Sequence, residues 1–558
     1  MGISTTNTLE RTMASFGQIK GMSPDFKAHN SVEFGGVLFL LPALLQQGLM
    51  KIKNTHRIKE GYYSLENIIL TLAFMALCRI KNPQQLQLYK AGEMGKLLGY
   101  DRIAEVRCLR EKMQELFENN ATTALNGLLA KDWVDESEEL ILYSDGHVKI
   151  YNGYKANLTK KYVSRQKLCL AGTTDFWLND AHGMPLMMWK GQLNEKLQHM
   201  IEFEIIPSLI SSNIIAAATE HTTSPVCTLI FDREAYEPAF FIRLWTVYKI
   251  AIISYHKFVK DQWTETDFTE HTTINQYGSS ATMQLCEKET VLNGHTFREI
   301  RKIGNGEHQT SIIGTHPTMP LLNIATRMFA RWQQENYFKY MIAEYSLDHL
   351  YQYGIEEIEL SKKIVNPAHR SIANQYKKEK EKLGRLEKEL VKNVKLDLEN
   401  SIDTLQENIK NKEKLVERIE QKRIEVAELF EQKKQIPYKI TLQELPEDKR
   451  YNTLKKESAY FMATLKMICY RAETALSNIL VEHYKKAENE KRTLIKEIIF
   501  TKADIKPDFK NNQLEVNLHS MATPMKNQIV AQICEELNQT ETIFPGTNLK
   551  ITYKTIAS

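Results

Sequence analysis

Apolar residues occur in two patterns along this chain: short unbroken runs in the middle, and helically spaced positions on either side. Two of the runs are alike. Leu140-Ile141-Leu142-Tyr143 passes into Ser144-Asp145-Gly146-His147, and Val226-Cys227-Thr228-Leu229-Ile230-Phe231 passes into Asp232-Arg233. A run of this length bounded by polar and turn residues reads as a buried strand, with an aspartate at its exposed end. Residues 168–173 and 185–189 read as two further strands, and 194–206 as a helix stopped near Pro207. Strands and helices thus alternate over 138–258, the pattern of an α/β domain.

The flanks differ. Residues 1–30 are polar and aperiodic, a flexible arm. In 31–135, Leu65, Ile68, Ile69, Leu72 and Met75 keep helical spacing, and basic residues recur between 51 and 59 and between 96 and 110. This predicts a mainly helical region that could touch DNA, although it holds no clean helix-turn-helix. Over 260–316 the pattern changes to alternating Thr, Gln, Val and Ile with Gly278, Gly294, Gly304 and Gly306 as turn signals, a β-rich insert. Pro317 and Pro320 close it, and a helix is expected from Leu322 onward. Within 371–436, Leu383, Leu386, Leu390, Val394, Leu398, Ile402, Leu405 and Ile409 recur every three or four residues in a Lys/Glu-rich, proline-free setting. That is the pattern of a coiled coil or helical hairpin. Pro437 ends it, and 440–558 reads as an α+β region.

Composition narrows the class only a little. The 558 residues are 42% hydrophobic and 25% charged with a formal net charge of +4, which neither requires nor excludes nucleic acid. Seven scattered cysteines with no CxxC pair point to reduced thiols in a cytosol-like compartment and away from a zinc module. The most apolar stretch, 35–45, is interrupted by Pro42 and too short to span a bilayer, so core is expected there and no membrane role.

Local charge is more informative. From Gly146 to Thr174 there is no Asp or Glu, while Lys149, Lys155, Lys160, Lys161, Arg165 and Lys167 alternate with Tyr151, Tyr154 and Tyr162. Cations placed directly after Asp145 would meet a phosphate chain. A third acid, Glu335, lies in the helical stretch Arg331-Trp332-Gln333-Gln334-Glu335-Asn336-Tyr337-Phe338-Lys339. Met328, Glu335 and Ile342 fall seven apart, so Glu335 is expected on a mostly apolar seam facing the sheet, with Arg331 and Lys339 four residues to either side. Hydrolysing or exchanging a phosphodiester calls for charge neutralisation and a deprotonated oxygen, which two Mg²⁺ ions about 3.5–4 Å apart supply through a few carboxylates. The reading is therefore that Asp145, Asp232 and Glu335 converge and hold divalent metal for cutting and joining DNA. Glu344 is the rival third ligand. His147 is expected to be structural, Arg233 and Glu234 to be local ion-pair partners, and Trp332 to be core.

Three segments in this order resemble the bacterial DDE transposases of the insertion-sequence-four group: Tyr-Ser-Asp145-Gly-His, Phe-Asp232-Arg-Glu-Ala-Tyr, and Arg331-Trp-Gln-Gln-Glu335-Asn-Tyr-Phe-Lys339. The resemblance covers about 138–350 and implies an RNase H-like catalytic domain with the insert 260–316 ahead of the last acid. Asp145, Asp232 and Glu335 would then be both catalytic residues and Mg²⁺ (or Mn²⁺) ligands, with Asp145 bridging the two ions. Arg331, Lys339, Lys149, Lys155, Lys160, Lys161 and Arg165 would bind DNA. The sequence departs from the group's third motif: Met328 stands where tyrosine is expected, and Lys339 comes earlier than the usual lysine. The implied partners are double-stranded DNA, as element ends and target, and a second copy of the chain, in a bacterial, nucleoid-associated cytoplasmic setting. Two rivals stand beside this reading: a catalytically silent, transposase-derived DNA-binding protein, and a structural protein built on the coiled coil.

Overall fold

The computed structural model describes residues 6–135, 138–163, 166–259, 261–274, 280–304, 308–348, 354–397, 405–483, 488–556. They form two compact units, one of Met1–Asn152, Leu158–Gly354 and Lys455–Ser558, the other of Gly153–Asn157 and Ile355–Leu454.

In the first unit the opening segment gives a short strand, β1 (His29–Val32), then buried helical turns over Gly35–Leu40 and Leu41–Gln46, where the apolar 35–45 stretch forms core. No single described helix is long and apolar enough to cross a membrane. The helix Leu65–Leu77 starts where the Ser64 hydroxyl accepts a hydrogen bond from the Asn67 amide. It is buried almost all round, against the long helix Glu457–His483 from the far end of the chain.

The middle of the unit is one mixed sheet of ten strands. They are β2 (Ile141–Ile150), β3 (Lys160–Val163), β4 (Leu168–Asn179), β5 (Pro185–Gln192), β6 (Cys227–Phe231), β7 (Ile250–Tyr255), β8 (Thr269–Ile274), β9 (Ser280–Leu292), β10 (His295–Ile303) and β11 (Gln309–Gly314). Their order is β3-β4-β2-β6-β7-β11-β10-β9-β8, with β5 also paired to β4. β4 runs antiparallel to β2 and β5, whereas β2, β6 and β7 are mutually parallel. β6 lies at the centre of the parallel part and is buried at every residue, which is why its sequence is apolar but for Thr228, whose hydroxyl donates to Glu139. One face packs Tyr143, Ile230, Ile253 and Ile312 against Ile324, Ala325 and Met328 of the helix Leu321–Phe329. The other packs Leu142, Leu229, Phe231 and Ile252 against Phe240, Phe241 and Leu244 of the helix Pro238–Tyr248. The β-rich insert extends this sheet: β11 pairs antiparallel with β7, and β10, β9 and β8 follow outward.

The helix expected to stop near Pro207 instead runs on to Ser211. It passes through a π-helical turn at Ile201–Ile205 before Ile206–Ser211. Proline removes one helical hydrogen bond and crowds the preceding turn, and a wider π-turn accommodates that without ending the helix.

The second unit carries two small antiparallel pairs, formed by β12 (Ile355–Glu357), β13 (Lys363–Val365), β14 (Lys439–Thr441) and β15 (Asn452–Leu454); β12 pairs with β15 and β13 with β14. Beyond the inner pair rise the helices Pro367–Asp397 and Leu405–Gln435. Lys422 pairs with Glu379 at 2.8 Å, Arg423 with Glu387 at 2.9 Å, and the Tyr376 and Phe430 rings lie 5.6 Å apart. These contacts make the two helices antiparallel, so the described parts of the repeat form two arms of a hairpin and not one continuous helix; Leu398 and Ile402 lie outside the described residues.

The last part of the chain returns to the first unit as β16 (Ala503–Asp508), β17 (Gln513–Leu518) and β18 (Lys550–Thr555), in the order β1-β16-β17-β18. The parallel pair β17–β18 is joined through the helix Pro524–Gln539, the crossover that parallel strands need.

Candidate active site on the central sheet

Strand register brings the two aspartates together. β2 and β6 are parallel with Leu142 opposite Leu229 and Tyr143 opposite Ile230. Two residues further along each strand, on the same face, come Asp145 and Asp232. Asp145 does not close its strand as expected; β2 continues to Ile150 because β4 runs beside it, with Asp145 opposite Trp177 and Ile150 opposite Gly172. Asp232 does close β6, and its Oδ1 accepts a hydrogen bond from the Glu234 amide at 2.7 Å, capping the short turn Arg233–Ala235.

Asp145 is largely buried, with 21% of its side chain exposed. Its Oδ1 accepts the Gly146 amide at 2.9 Å. Burial pushes its carboxyl up to about 6; Asp232 and Glu234 add to the rise, and Arg331 and the Gly146 amide oppose it.

Arg331 connects this pair to the third acid. One guanidinium nitrogen is 3.5 Å from Asp145 Oδ2 and the other is 3.4 Å from Glu335 Oε1. The helical stretch is broken at Ala330–Arg331, between Leu321–Phe329 and Trp332–Tyr345, so Met328 and Glu335 do not share one seam. The buried face of the second helix is Gln334, Tyr337, Phe338, Met341 and Tyr345, and the Glu335 side chain is 53% exposed beside it. Gln334 fixes that helix to the sheet: its Nε2 donates to Asn179 Oδ1 at 2.8 Å and to the Tyr143 carbonyl at 3.3 Å. Trp332, expected in the core, is exposed. Glu344, the rival ligand, is held away from the aspartates by Arg79 at 2.8 Å and Lys496 at 2.9 Å.

The basic residues divide. Lys149 shares the Asp145 face of β2, but further along that face is buried, and its ammonium pairs with buried Asp175 at 2.7 Å. It faces the interior and is not free to meet DNA. Lys160 and Lys161 are exposed on β3, with Lys161 3.8 Å from Glu234. Lys339 is exposed one turn beyond Glu335. Lys155 is exposed and belongs to the second unit. Arg165 lies outside the described residues. His147 is structural in its contacts: it stacks on Phe338 with centroids 5.3 Å apart and bonds Asp348 at 2.5 Å.

Tyr255 is a neighbour that the sequence reading missed. β6 and β7 are parallel with Phe231 opposite Ser254, so Tyr255 follows as Asp232 does. The available signal was positional: Tyr255 ends the apolar run Ile250-Ala251-Ile252-Ile253 much as Asp232 ends its own. Burial pushes its hydroxyl above the ordinary phenol range; Arg331 and Arg233 pull it down, and Glu335 and Asp232 push it up.

Among the described residues, no three His, Cys, Asp or Glu side chains are gathered closely enough to hold a metal ion, and Arg331 stands between Asp145 and Glu335. The Asp145–Asp232 pair nonetheless has the chemistry a hard divalent cation takes: two neighbouring carboxylates, with the Asp145 carboxyl raised first by burial and further by the Asp232 charge. No curated protein matches the chain. A family model described as "Transposase protein" matches residues 2–557.

Proposed function

The chain belongs to that transposase family, and from this premise we propose that it is a DDE enzyme that cleaves DNA strands at the ends of an insertion element and transfers them to a target. The observation that carries the reading is the placement of Asp145 beside Asp232 across two parallel strands, with Arg331 linking Asp145 to Glu335. The order β5-β4-β2-β6-β7, three antiparallel strands followed by two parallel ones, supports an RNase H-like core. The motif resemblance supports the insertion-sequence-four group, with Met328 as its departure.

In this mechanism Asp145 and Asp232 would hold Mg²⁺ or Mn²⁺, and Glu335 would be the third ligand if its long contact with Arg331 were given up. When bound, the metal supplies charge neutralisation on the phosphate and activates the attacking oxygen. Arg331 balances Asp145 and Glu335 before DNA arrives. A phosphate oxygen competes for its guanidinium, because contacts of 3.4–3.5 Å are not close bidentate pairs. Water attacks phosphorus, the bond from phosphorus to the 3′ oxygen breaks, and the departing 3′ oxygen takes up a proton. That 3′-hydroxyl then attacks a target phosphodiester, losing its proton as a target 3′ oxygen leaves. Lys160, Lys161 and Lys339 are exposed cations for the flanking phosphates. Two DNA ends call for two active sites, so the working form in this reading is a homodimer on DNA, in the nucleoid-associated cytoplasm of a bacterium.

The test is nicking of a supercoiled plasmid carrying the reading frame with its native flanks, in Mg²⁺. Asp145→Ala, Asp232→Ala and Glu335→Ala are each expected to lower the rate by roughly 100-fold or more. Wild-type nicking by all three removes the mechanism. A catalytically silent DNA-binding protein is the second reading, favoured by the position of Arg331 among the acids. It predicts salt-sensitive binding to the flanks with no nicking by the unaltered chain.

A further inference from the structure

Three adjacent parallel strands each place a polar residue at the same level of one sheet face. β2 contributes Asp145, β6 contributes Asp232, and β7 contributes Tyr255. On its outer side Tyr255 lies opposite Ile312 of β11, which packs its ring and leaves it half-buried. Arg233 stands 5.6 Å above the ring centroid. The phenol is within electrostatic reach of Arg331, Arg233, Glu335 and Asp232, which puts it beside the acids of the site.

Any phosphate entering the site meets three carboxylates, which repel it, and two guanidinium groups, which attract it. A phenol adds something neither can: a hydrogen-bond donor without charge, protonated at neutral pH. Burial strengthens that state first; Arg331 and Arg233 work against it, Glu335 and Asp232 reinforce it, and the outcome is a hydroxyl held above the ordinary phenol range, which disfavours a phenolate that could attack phosphorus covalently.

We infer that Tyr255 is a further catalytic residue whose hydroxyl donates a hydrogen bond to an oxygen of the phosphate being cut, completing the row begun by Asp145 and Asp232. This rests on the strand-cleavage reading above. The bond counts most as charge builds on the phosphate, so its loss falls on kcat more than on KM.

The experiment compares Tyr255→Phe with the unaltered chain and with Asp145→Ala, using the flank-bearing plasmid and Mg²⁺. Tyr255→Phe keeps the ring and its packing and is expected to lower kcat by roughly 100-fold with KM little changed. If Asp145→Ala is silent while Tyr255→Phe nicks at the wild-type rate, the tyrosine inference falls and the cleavage reading stands. If Asp145→Ala itself nicks at the wild-type rate, the cleavage reading falls and takes the inference with it. A protein–DNA adduct that survives denaturation and disappears in Tyr255→Phe also overturns it, since the residue would then be a nucleophile. If no chain nicks, a second measurement decides: 3-fluorotyrosine protein with Ca²⁺ and a short flank duplex, read by ¹⁹F resonance. The signal missing from Tyr255→Phe should shift on adding DNA, and a signal that stays in place overturns the inference.

Discussion

Asp145 is the residue at which the fold works against itself. An aspartate ionises near 3.8 in an unfolded chain and at about 6 here, because burial and then Asp232 penalise the charged form. Between those values the folded state carries the extra proton. Folding therefore weakens as pH rises from about 4 to about 6, and above that it stays weaker by about 3 kcal/mol, the shift of roughly two pKa units converted at 1.36 kcal/mol each. Asp145→Asn, neutral at every pH, is expected to raise metal-free stability by about that amount near pH 7.5 and to change little near pH 3.5. Urea unfolding in chelator at the two pH values measures it, and equal stabilities near pH 7.5 would reject the burial account. A carboxylate kept at this cost is one a bound cation or an incoming DNA complex would stabilise. The aspartates were legible in the sequence because each closes or interrupts an apolar run. Lys149 departs from its expected DNA-facing role for a related reason: sequence shows a charge two residues from His147 but not that Asp175, on another strand, pairs with it in the interior. Tyr255 is not legible in the same way, because an uncharged residue at a strand end carries no electrostatic signal until the register places it beside Asp232.

At the scale of elements, the site depends on how one helix sits on one sheet. Trp332–Tyr345 contributes Arg331 at its N-cap and Glu335 in its first turn, and Gln334 between them is 1% exposed. Gln334 bonds the Tyr143 carbonyl, two residues before Asp145, and the Asn179 side chain at the end of β4. Gln334→Ala removes both bonds and strands buried partners, a loss of about 1–3 kcal/mol. The larger effect is expected on geometry. Nicking should fall about 10-fold or more while DNA affinity changes little, since the acids are intact but displaced. A variant that loses the expected stability yet nicks at the wild-type rate would show that the helix is held by its apolar face alone. Helical spacing identified this element but not its break at Ala330–Arg331. The break follows from packing: Met328 is fully buried under the sheet while Trp332 is exposed, so the chain has to turn between them. The π-turn before Pro207 was hidden in the same way, because a proline announces a lost hydrogen bond but not whether the helix absorbs it.

Over the whole molecule, the two units could not be read from the sequence, and the reason is physical. The hairpin helices declare themselves through long apolar spacing, whereas the unit they belong to is closed by pairs of three-residue strands, β12 with β15 and β13 with β14, too short to leave a period. The first unit is likewise completed from a distance: β1 pairs with β16, and Gly36 lies so close to the Ile498 carbonyl that any side chain there would collide with it. That closure makes a specific experiment possible. Where the chain leaves the first unit and where it returns, the Lys455 amide donates to the Gly354 carbonyl at 3.0 Å. Excising 355–454 and joining Gly354 to Lys455 should therefore ask little of the backbone, and the long buried helix Glu457–His483 keeps its partners within the first unit. The shortened chain is expected to fold with a single cooperative melt within a few degrees of the intact protein's own transition. If the hairpin is the dimer contact, the shortened chain sediments as a monomer and nicks single strands while failing to join paired ends. If it still joins them, pairing belongs to the first unit. Collapse of the melt would show instead that the hairpin unit is needed for the sheet to form, which the separate closure of the two units argues against.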